Sequence, residues 1–400
     1  MHLPTEQNKR INEIDAVRAV ALLGILMMNI MTFAGSYVDL GTGELSSSYT
    51  GTANENSLWF INAFVTSSFF TMFSFLFGLS FYIFMERARL KSDKPDLLFV
   101  RRLVILLIIG ILHGIFIWFG DILTQYAITG FWLLLFARVK PVVNLVVPII
   151  IFVVGTLFIG ALALLMSRLS GLETLDTTGA DKVPGFLNIN MTEIMQNGTY
   201  MDLLGANTTM FLLSTTGIII TMPIVLAMFL LGLYVGQKNL HMTFHNHLKK
   251  IGIFGAIALL IGIPLKLYTG YYMTFPVTPT EEIISGFSYT VGGPLVALGY
   301  VALLVILFVK VPVLVRLLQP AGQMALTNYL IQSIVMVTFF KVSGLYDQVD
   351  AVYFIPISIG FFIVQVALSH IWMKYFTYGP FEWIWRCLTY LRVVPIKRGE

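Results

Sequence analysis

Apolar residues along the chain fall into continuous runs, separated by short polar segments. A run of about 20 residues matches the length of a helix that crosses the roughly 30 Å hydrocarbon core of a bilayer. The runs lack the strict alternation of membrane β-barrel strands, so each one predicts a spanning helix. They cover residues 16–34, 57–84, 99–119, 122–137, 142–166, 209–236, 250–270, 286–309, 321–341 and 351–375. The sequence therefore predicts an all-α integral membrane protein, a bundle of about ten transmembrane helices.

Lysine and arginine concentrate in alternate connections between these runs. They lie at residues 9–10, 87–102, 138–140, 238–250, 310–316 and 374–398. Because positive charge marks cytoplasmic connections, we expect these segments and both chain termini to be cytoplasmic. The longest connection, residues 167–208, then faces outward as a lid or small surface subdomain.

The polar, basic segment after the sixth run predicts a boundary within the chain. It separates an N-terminal half, residues 1–236 with about six spans, from a C-terminal half, residues 237–400 with about four spans. The C-terminal half ends in a segment typical of an interfacial amphipathic helix.

Composition narrows the class of protein further. Hydrophobic residues make up 57% of the 400 residues and charged residues 12%, which excludes an ordinary soluble domain. The net charge of +4 comes from bases at the ends of apolar runs, so we expect the lipid bilayer, and not nucleic acid, as the partner. A single cysteine, Cys387, and scattered histidines predict neither a disulfide nor a metal site.

Two ionisable residues stand out in the third run and just after it. A charge inside a span costs about 2.5–3.5 kcal/mol, so it needs a partner or a task. His113 is a candidate general base, with Asp121 or Asn29 to orient it. Eight residues of straight helix cover about 12 Å, so contact between His113 and Asp121 requires a kink at a nearby glycine. Alternatively, His113 only packs beside the Gly110-x-x-x-Gly114 face and Asp121 caps a helix.

Charged pairs lie at the predicted cytoplasmic ends of the runs. Asp15 and Arg18 are one helical turn apart, which favours a local ion pair that retains this end in the cytoplasm. Alternatively, Arg18 offers its guanidinium group to the phosphates of a nucleotide-bearing acyl donor. Glu382 pairs with Arg386 on the amphipathic helix, or with Arg18 across the bundle. The candidate donor-binding residues are Asp15, Arg18, Arg101, Arg102, Glu382 and Arg386.

The ninth run begins with more hydrogen-bonding side chains than lipid contact tolerates, so this face must meet protein or water. These side chains bind a polar substrate or form hydrogen bonds between helices. The candidate substrate-binding residues are Asn328, Gln332, Ser333 and, from the fourth run, Tyr126.

Several motifs occur in order along nearly the whole chain. They are Asp15-x-x-Arg18, Phe75-Leu-Phe-Gly78, Arg101-Arg102-Leu, Gly120-Asp121-Ile-Leu, Ala325-Leu-Thr-Asn-Tyr-Leu-x-Gln332-Ser333 and Gly379-Pro-x-Glu382-Trp-x-Trp-Arg386. By these motifs the chain resembles the YeiB family of bacterial membrane proteins, with Ala19 and Phe381 as small departures. The resemblance implies a multi-pass protein of the bacterial cell membrane.

That family is similar to transmembrane acyltransferases such as heparan-α-glucosaminide N-acetyltransferase. The similarity implies transfer of an acyl group from cytoplasmic acyl-CoA or acetyl-CoA, a co-substrate and not a resident cofactor, to a small-molecule or lipid-like acceptor at the outer face. It also implies an intramembrane histidine as base, which we assign to His113. The rival hypotheses are a transporter or exporter of a small polar or lipid-like solute, and a non-catalytic scaffold. We allow for a homodimer.

Overall fold

The computed structural model describes residues 11–36, 49–170, 189–275 and 279–398. Its helices are α1 (Asn12–Phe33), α2 (Thr52–Phe60, continued by a π-helical turn at Ile61–Val65), α3 (Ser68–Lys91), α4 (Pro95–Phe116), α5 (Leu123–Phe136), α6 (Pro141–Ser170), α7 (Met191–Gln196), α8 (Tyr200–Gln237), α9 (Leu240–Thr243), α10 (Leu248–Tyr272), α11 (Pro279–Lys310), α12 (Pro312–Gln323), α13 (Ala325–Ser343), α14 (Phe354–Tyr375) and α15 (Pro380–Tyr390). Apart from one isolated antiparallel bridge between Phe376 and Lys397, the described residues form no β-structure. The all-α fold is confirmed.

Nine helical segments among the described residues are long and apolar enough to cross a membrane. The predicted span 122–137 corresponds to α5, which has 14 residues. A helix of that length covers about 21 Å, less than the roughly 30 Å of the hydrocarbon core. The expected ten spans are therefore nine long helices and one short one, and the cytoplasmic placement of the termini stays a prediction.

The outward connection predicted at residues 167–208 is shorter than expected. Residues 171–188 lie outside the described part of the chain, as do Lys9 and Arg10. Helix α6 continues to Ser170, and α8 begins at Tyr200, so the prediction of a loop at residues 200–208 was wrong. The reason is a capping box, in which Thr199 and Asp202 each bond to the other's backbone N–H and so satisfy the free groups of a helix start.

Helix α1 lies at the centre of the bundle, packed against α3, α11, α12, α13 and α14. Helices α3 and α8 approach each other most closely through two glycines. A Cβ atom on Gly78 would lie 1.9 Å from the carbonyl oxygen of Phe229, and one on Gly232 would lie 2.0 Å from that of Phe75. The backbones of α3 and α8 are therefore in direct contact.

The long segment 52–91 is broken near Ser67, which has a left-handed backbone conformation with φ of 64°. The break leaves carbonyl groups without helical donors. The buried Lys266 ammonium donates to the carbonyl oxygen of Asn62 at 2.8 Å, and the Tyr300 hydroxyl donates to that of Phe64 at 3.1 Å. Lys266 therefore serves as a cap for the broken helix, where the negative end of the helix dipole favours a cation.

Candidate functional site

His113 and Asp121 form a buried pair. Helix α4 ends three residues after His113, and the chain reverses before α5 begins at Leu123. This reversal brings Asp121 Oδ1 to 2.9 Å from His113 Nδ1, and neither side chain is exposed. A straight helix would hold His113 and Asp121 apart. They are in contact because α4 ends between them.

The Asp121 carboxylate also fixes the state of the imidazole ring. Its Oδ2 accepts a hydrogen bond of 2.7 Å from the backbone N–H of Thr124 in the first turn of α5, so Asp121 both caps α5 and contacts His113. A carboxylate accepts hydrogen bonds, so Nδ1 of His113 carries the proton that it donates to Asp121. The other ring nitrogen, Nε2, is buried without a hydrogen-bond partner among the described residues. In the neutral imidazole with its proton on Nδ1, Nε2 is the nitrogen that accepts hydrogen bonds or protons.

Two aromatic rings enclose His113. The ring centroid of Tyr329 lies 5.2 Å away and that of Trp118 lies 6.4 Å away. Only 1% of His113 is exposed. His113 is accordingly not among the wall residues of either cavity described below.

Gly110 allows α5 to start close enough to α4 for the pair to form. A Cβ atom at this position would lie 2.6 Å from the Thr124 backbone nitrogen and 2.8 Å from Asp121 Oδ2. We expect Gly110→Ala to lower the free energy of unfolding by about 1–3 kcal/mol, because backbone atoms must move to make room. Thermal unfolding in detergent measures the change.

The matched control is Gly205→Ala, at a helical glycine where an added Cβ meets nothing within 4 Å. Equal melting temperatures for the two variants would contradict the close approach of α4 and α5.

Asp121 lines a cavity of about 300 Å³, here called the Asp121 cavity. Its wall is mixed polar and aromatic, and includes Asn29, Asp121, Thr124, Gln125, Phe211, Thr215, Thr221, Tyr289 and Tyr329. The structure therefore brings the predicted residues Asn29 and Asp121 to one space, with His113 directly behind the wall. Gln125 and Thr221 were not expected, and they bond to each other at 2.7 Å.

A larger cavity of about 590 Å³, the Arg18 cavity, contains every predicted donor-binding residue. One part of its wall is cationic and carries six arginines beside two carboxylates, namely Arg18, Arg87, Arg101, Arg102, Arg386 and Arg392 with Asp15 and Glu382. The rest is largely apolar, with Leu22, Ile25, Phe73, Phe77, Leu106 and Tyr126. The cavity therefore matches an amphiphile with an anionic head and an apolar tail.

The guanidinium groups in this cavity are held in place. Arg18 donates to Asp15 and, over 2.7 Å, to Ser80 Oγ. Arg102 lies 3.7 Å from the ring centroid of Trp385, whose indole N–H donates to the Arg102 carbonyl oxygen. Ser80 and Trp385 were missed in the sequence because their partners lie on distant segments.

Glu382 joins α15 to the start of α13. Its carboxyl oxygens accept from the backbone nitrogens of Leu326 at 2.6 Å and Thr327 at 3.0 Å, and from the Thr327 hydroxyl at 2.5 Å. Burial raises the pKa of Glu382, and the hydrogen bonds from Thr327 and Leu326 offset part of that effect. This side chain therefore caps α13 as well as lining the Arg18 cavity.

The two cavities lie in series along α1. Ile25, Ile122 and Tyr329 line both of them. From Asp15 in one wall to Asn29 in the other is about 21 Å of helix, most of the hydrocarbon thickness. Tyr329, which was not among the predicted site residues, is the side chain between the Arg18 cavity, the Asp121 cavity and His113.

Most of the predicted substrate-binding residues lie between helices and not in the cavity walls. Asn328 donates to Ala321 O and Ser369 Oγ, and Gln332 donates to Gln365 Oε1 at 2.8 Å, so both join α13 to its neighbouring helices. Asn328, Gln332 and Ser333 are not among the wall residues of either cavity. Tyr126 does line the Arg18 cavity, and its hydroxyl donates to Phe70 O at 2.6 Å. Within the described ranges, no three metal-ligating side chains come together.

The chain is similar to one described protein family and to several bacterial proteins. Residues 235–392 match the family described as "Protein of unknown function (DUF418)". The chain is 31% identical to "Uncharacterized protein YxaH" of Bacillus subtilis (strain 168), covering 99% of this chain and 98% of that protein. It is 27% identical to "Uncharacterized protein YeiB" of Escherichia coli (strain K12), covering 94% and 95%. No solved structure matches. The chain therefore belongs to the YeiB-like, DUF418-containing family of bacterial proteins.

Proposed function

We propose that this protein is a membrane-embedded acyltransferase. Its donor is acyl-CoA in the Arg18 cavity, its acceptor enters the Asp121 cavity, and His113 is the general base. The observation that carries the proposal is the serial arrangement of the two cavities, which share Ile25, Ile122 and Tyr329 beside the His113–Asp121 pair.

The wall of the Arg18 cavity supports the donor assignment. The arginines supply planar, permanently charged groups of the kind that bind phosphates through paired hydrogen bonds. From Arg18 the apolar wall continues past Leu22 to Ile25, about 10 Å along α1. A nucleotide at the arginines would therefore direct its thioester arm toward the shared wall.

The proposed reaction uses His113 and Asp121 as follows. His113 Nε2 takes the proton of an acceptor hydroxyl or amine, and the oxygen or nitrogen so freed attacks the thioester carbonyl carbon. The carbon–sulfur bond breaks, and His113 returns the proton to the CoA thiolate, giving the acylated acceptor and free CoA. Asp121 holds Nδ1–H throughout and stabilises the transient imidazolium.

Binding tests the donor assignment. In nanodiscs, we expect the purified protein to bind acetyl-CoA or palmitoyl-CoA, and Arg102→Met to weaken that binding about tenfold or more, since a hydrogen bond to a charged group contributes about 1.5–3 kcal/mol. The control is Arg138→Met, an exposed base that pairs with Asp96 away from the cavity. Equal affinities of the two variants would contradict the donor site.

Two measurements on the purified protein distinguish the acyltransferase from a transporter. Chromatography measures free CoA released from the acyl-CoA when a panel of small hydroxyl and amine compounds is supplied as acceptors. Counterflow of candidate solutes is measured in proteoliposomes without acyl-CoA. Release of CoA supports the transferase. Counterflow without any release of CoA would overturn the proposal, because the two cavities would then be parts of a transport path.

A further inference from the structure

Tyr329 is the polar member of the wall that the two cavities share. The other two members, Ile25 and Ile122, present aliphatic side chains. An acyl group that moves from one cavity to the other must react at this wall, since the donor carbonyl and the acceptor atom meet there. Of the three shared residues, Tyr329 alone has a side chain that can donate a hydrogen bond.

The hydroxyl of Tyr329 is not used as a hydrogen-bond donor within the described residues. Its oxygen accepts a long hydrogen bond of 3.4 Å from the backbone N–H of Ile122. Among the described residues its own hydrogen has no acceptor, although the ring is 4% exposed and deep in the bundle. A buried hydroxyl normally donates as well as accepts, so the Tyr329 O–H is available to donate to a group in either cavity that it lines.

The ring of Tyr329 also covers the proposed base. Its centroid lies 5.2 Å from that of His113, at an angle of 47° between the ring planes. The long bond to Ile122 holds the ring weakly, because hydrogen bonds lose strength toward 3.5 Å. Tyr329 therefore adjoins both His113 and the junction of the two cavities.

We propose that Tyr329 is a catalytic residue whose hydroxyl stabilises the oxyanion formed during acyl transfer. The inference rests on the proposed acyltransferase function. When the acceptor attacks, the carbonyl π electrons move to oxygen, and the Tyr329 O–H donates a hydrogen bond to that negative charge without losing its proton. Collapse of the intermediate re-forms the carbonyl and expels the CoA thiolate, which takes the proton held by His113. Donors aimed at a developing charge in a dry site contribute strongly to rate.

Tyr329→Phe tests this role, because it removes the hydroxyl and keeps the ring that separates the cavities. With an acceptor from the same panel of hydroxyl and amine compounds, we expect the rate of CoA release from acetyl-CoA in nanodiscs to fall about 10²–10³-fold, the usual effect of losing one oxyanion donor. Affinity for acetyl-CoA should stay within about twofold of the unmodified protein, since the hydroxyl acts in the transition state.

The matched control is Tyr300→Phe, which also removes a tyrosine hydroxyl with a single hydrogen bond, to Phe64 O, on a helix outside the shared wall. We expect this variant to keep the normal rate of CoA release. If Tyr329→Phe releases CoA as fast as Tyr300→Phe, the hydroxyl is not catalytic, and a purely steric role of the ring remains.

The outcomes separate the two proposals. Release of CoA by the unmodified protein together with an unaffected Tyr329→Phe variant overturns the role of Tyr329 and leaves the acyltransferase standing. No release of CoA by the unmodified protein from bound acetyl-CoA, with a panel of small hydroxyl and amine compounds supplied as acceptors, overturns the acyltransferase and with it the role of Tyr329. A variant with lost acetyl-CoA binding and unchanged rate at saturation also contradicts oxyanion stabilisation.

Discussion

Replacement of His113 by glutamine is expected to reduce acyl transfer by about 10²–10⁴-fold, the contribution of a positioned general base. Glutamine keeps a polar side chain of similar length beside Asp121 but has no nitrogen that can accept a proton from the acceptor. Binding of acyl-CoA should not change, because His113 lies behind the Asp121 cavity and not in the Arg18 cavity. Release of CoA and the affinity for acetyl-CoA, measured on the same nanodisc sample, check both statements.

His245→Gln is the matched control, since His245 is exposed and lies at the connection between α9 and α10. Its CoA release should equal that of the unmodified protein. Full activity in His113→Gln would contradict a chemical role of the buried pair and favour a packing role, in which His113 only fills the space beside Gly110 and Gly114.

Replacement of Glu382 by leucine is expected to lower the free energy of unfolding by about 3 kcal/mol, because it leaves buried donors at the start of α13 without an acceptor. The donors are the backbone N–H groups of Leu326 and Thr327 and the Thr327 hydroxyl. Loss of this cap should also loosen α15. Cys387, the single cysteine of the chain, lies half-buried in α15 and reports that loosening as faster labelling by a maleimide.

Glu382→Gln separates capping from charge. The glutamine side chain still offers a carbonyl oxygen to Leu326 and Thr327, so thermal stability and the labelling rate of Cys387 should stay close to those of the unmodified protein. Two equally destabilised variants would show that the charge of Glu382 matters to the fold. Two unaffected variants would contradict the capping role altogether.

Several features of this protein follow from the sequence alone. Hydrocarbon thickness fixes the length of an apolar run, so the all-α membrane fold and most spans could be predicted from hydropathy. The rarity of charge inside spans likewise singled out His113 and the arginines near Arg18, because burying such groups is costly without a purpose. These inferences needed only composition and order along the chain.

The exact ends of helices depended on local capping that hydropathy does not report. Residues 200–208 were expected in a loop, yet the reciprocal bonds of Thr199 and Asp202 start α8 there. The end of α4 at Phe116 had the larger consequence, since it turned an eight-residue separation into the 2.9 Å contact of His113 with Asp121. Such helix ends are determined by a few hydrogen bonds, and the hydropathy of a whole run of residues does not report them.

Only the tertiary structure decided which polar residues share a space. The order of residues left two roles open for Asn328 and Gln332, substrate binding and hydrogen bonds between helices. In the structure both side chains bond to neighbouring helices, α12 and α14. Tyr329, one position from Asn328, lies instead at the wall between the two cavities. Neighbours on a helix point about 100° apart, so the rotation of α13 within the bundle determines which of them meets the site. That rotation is set by packing against α1, α12 and α15, which only the folded chain specifies.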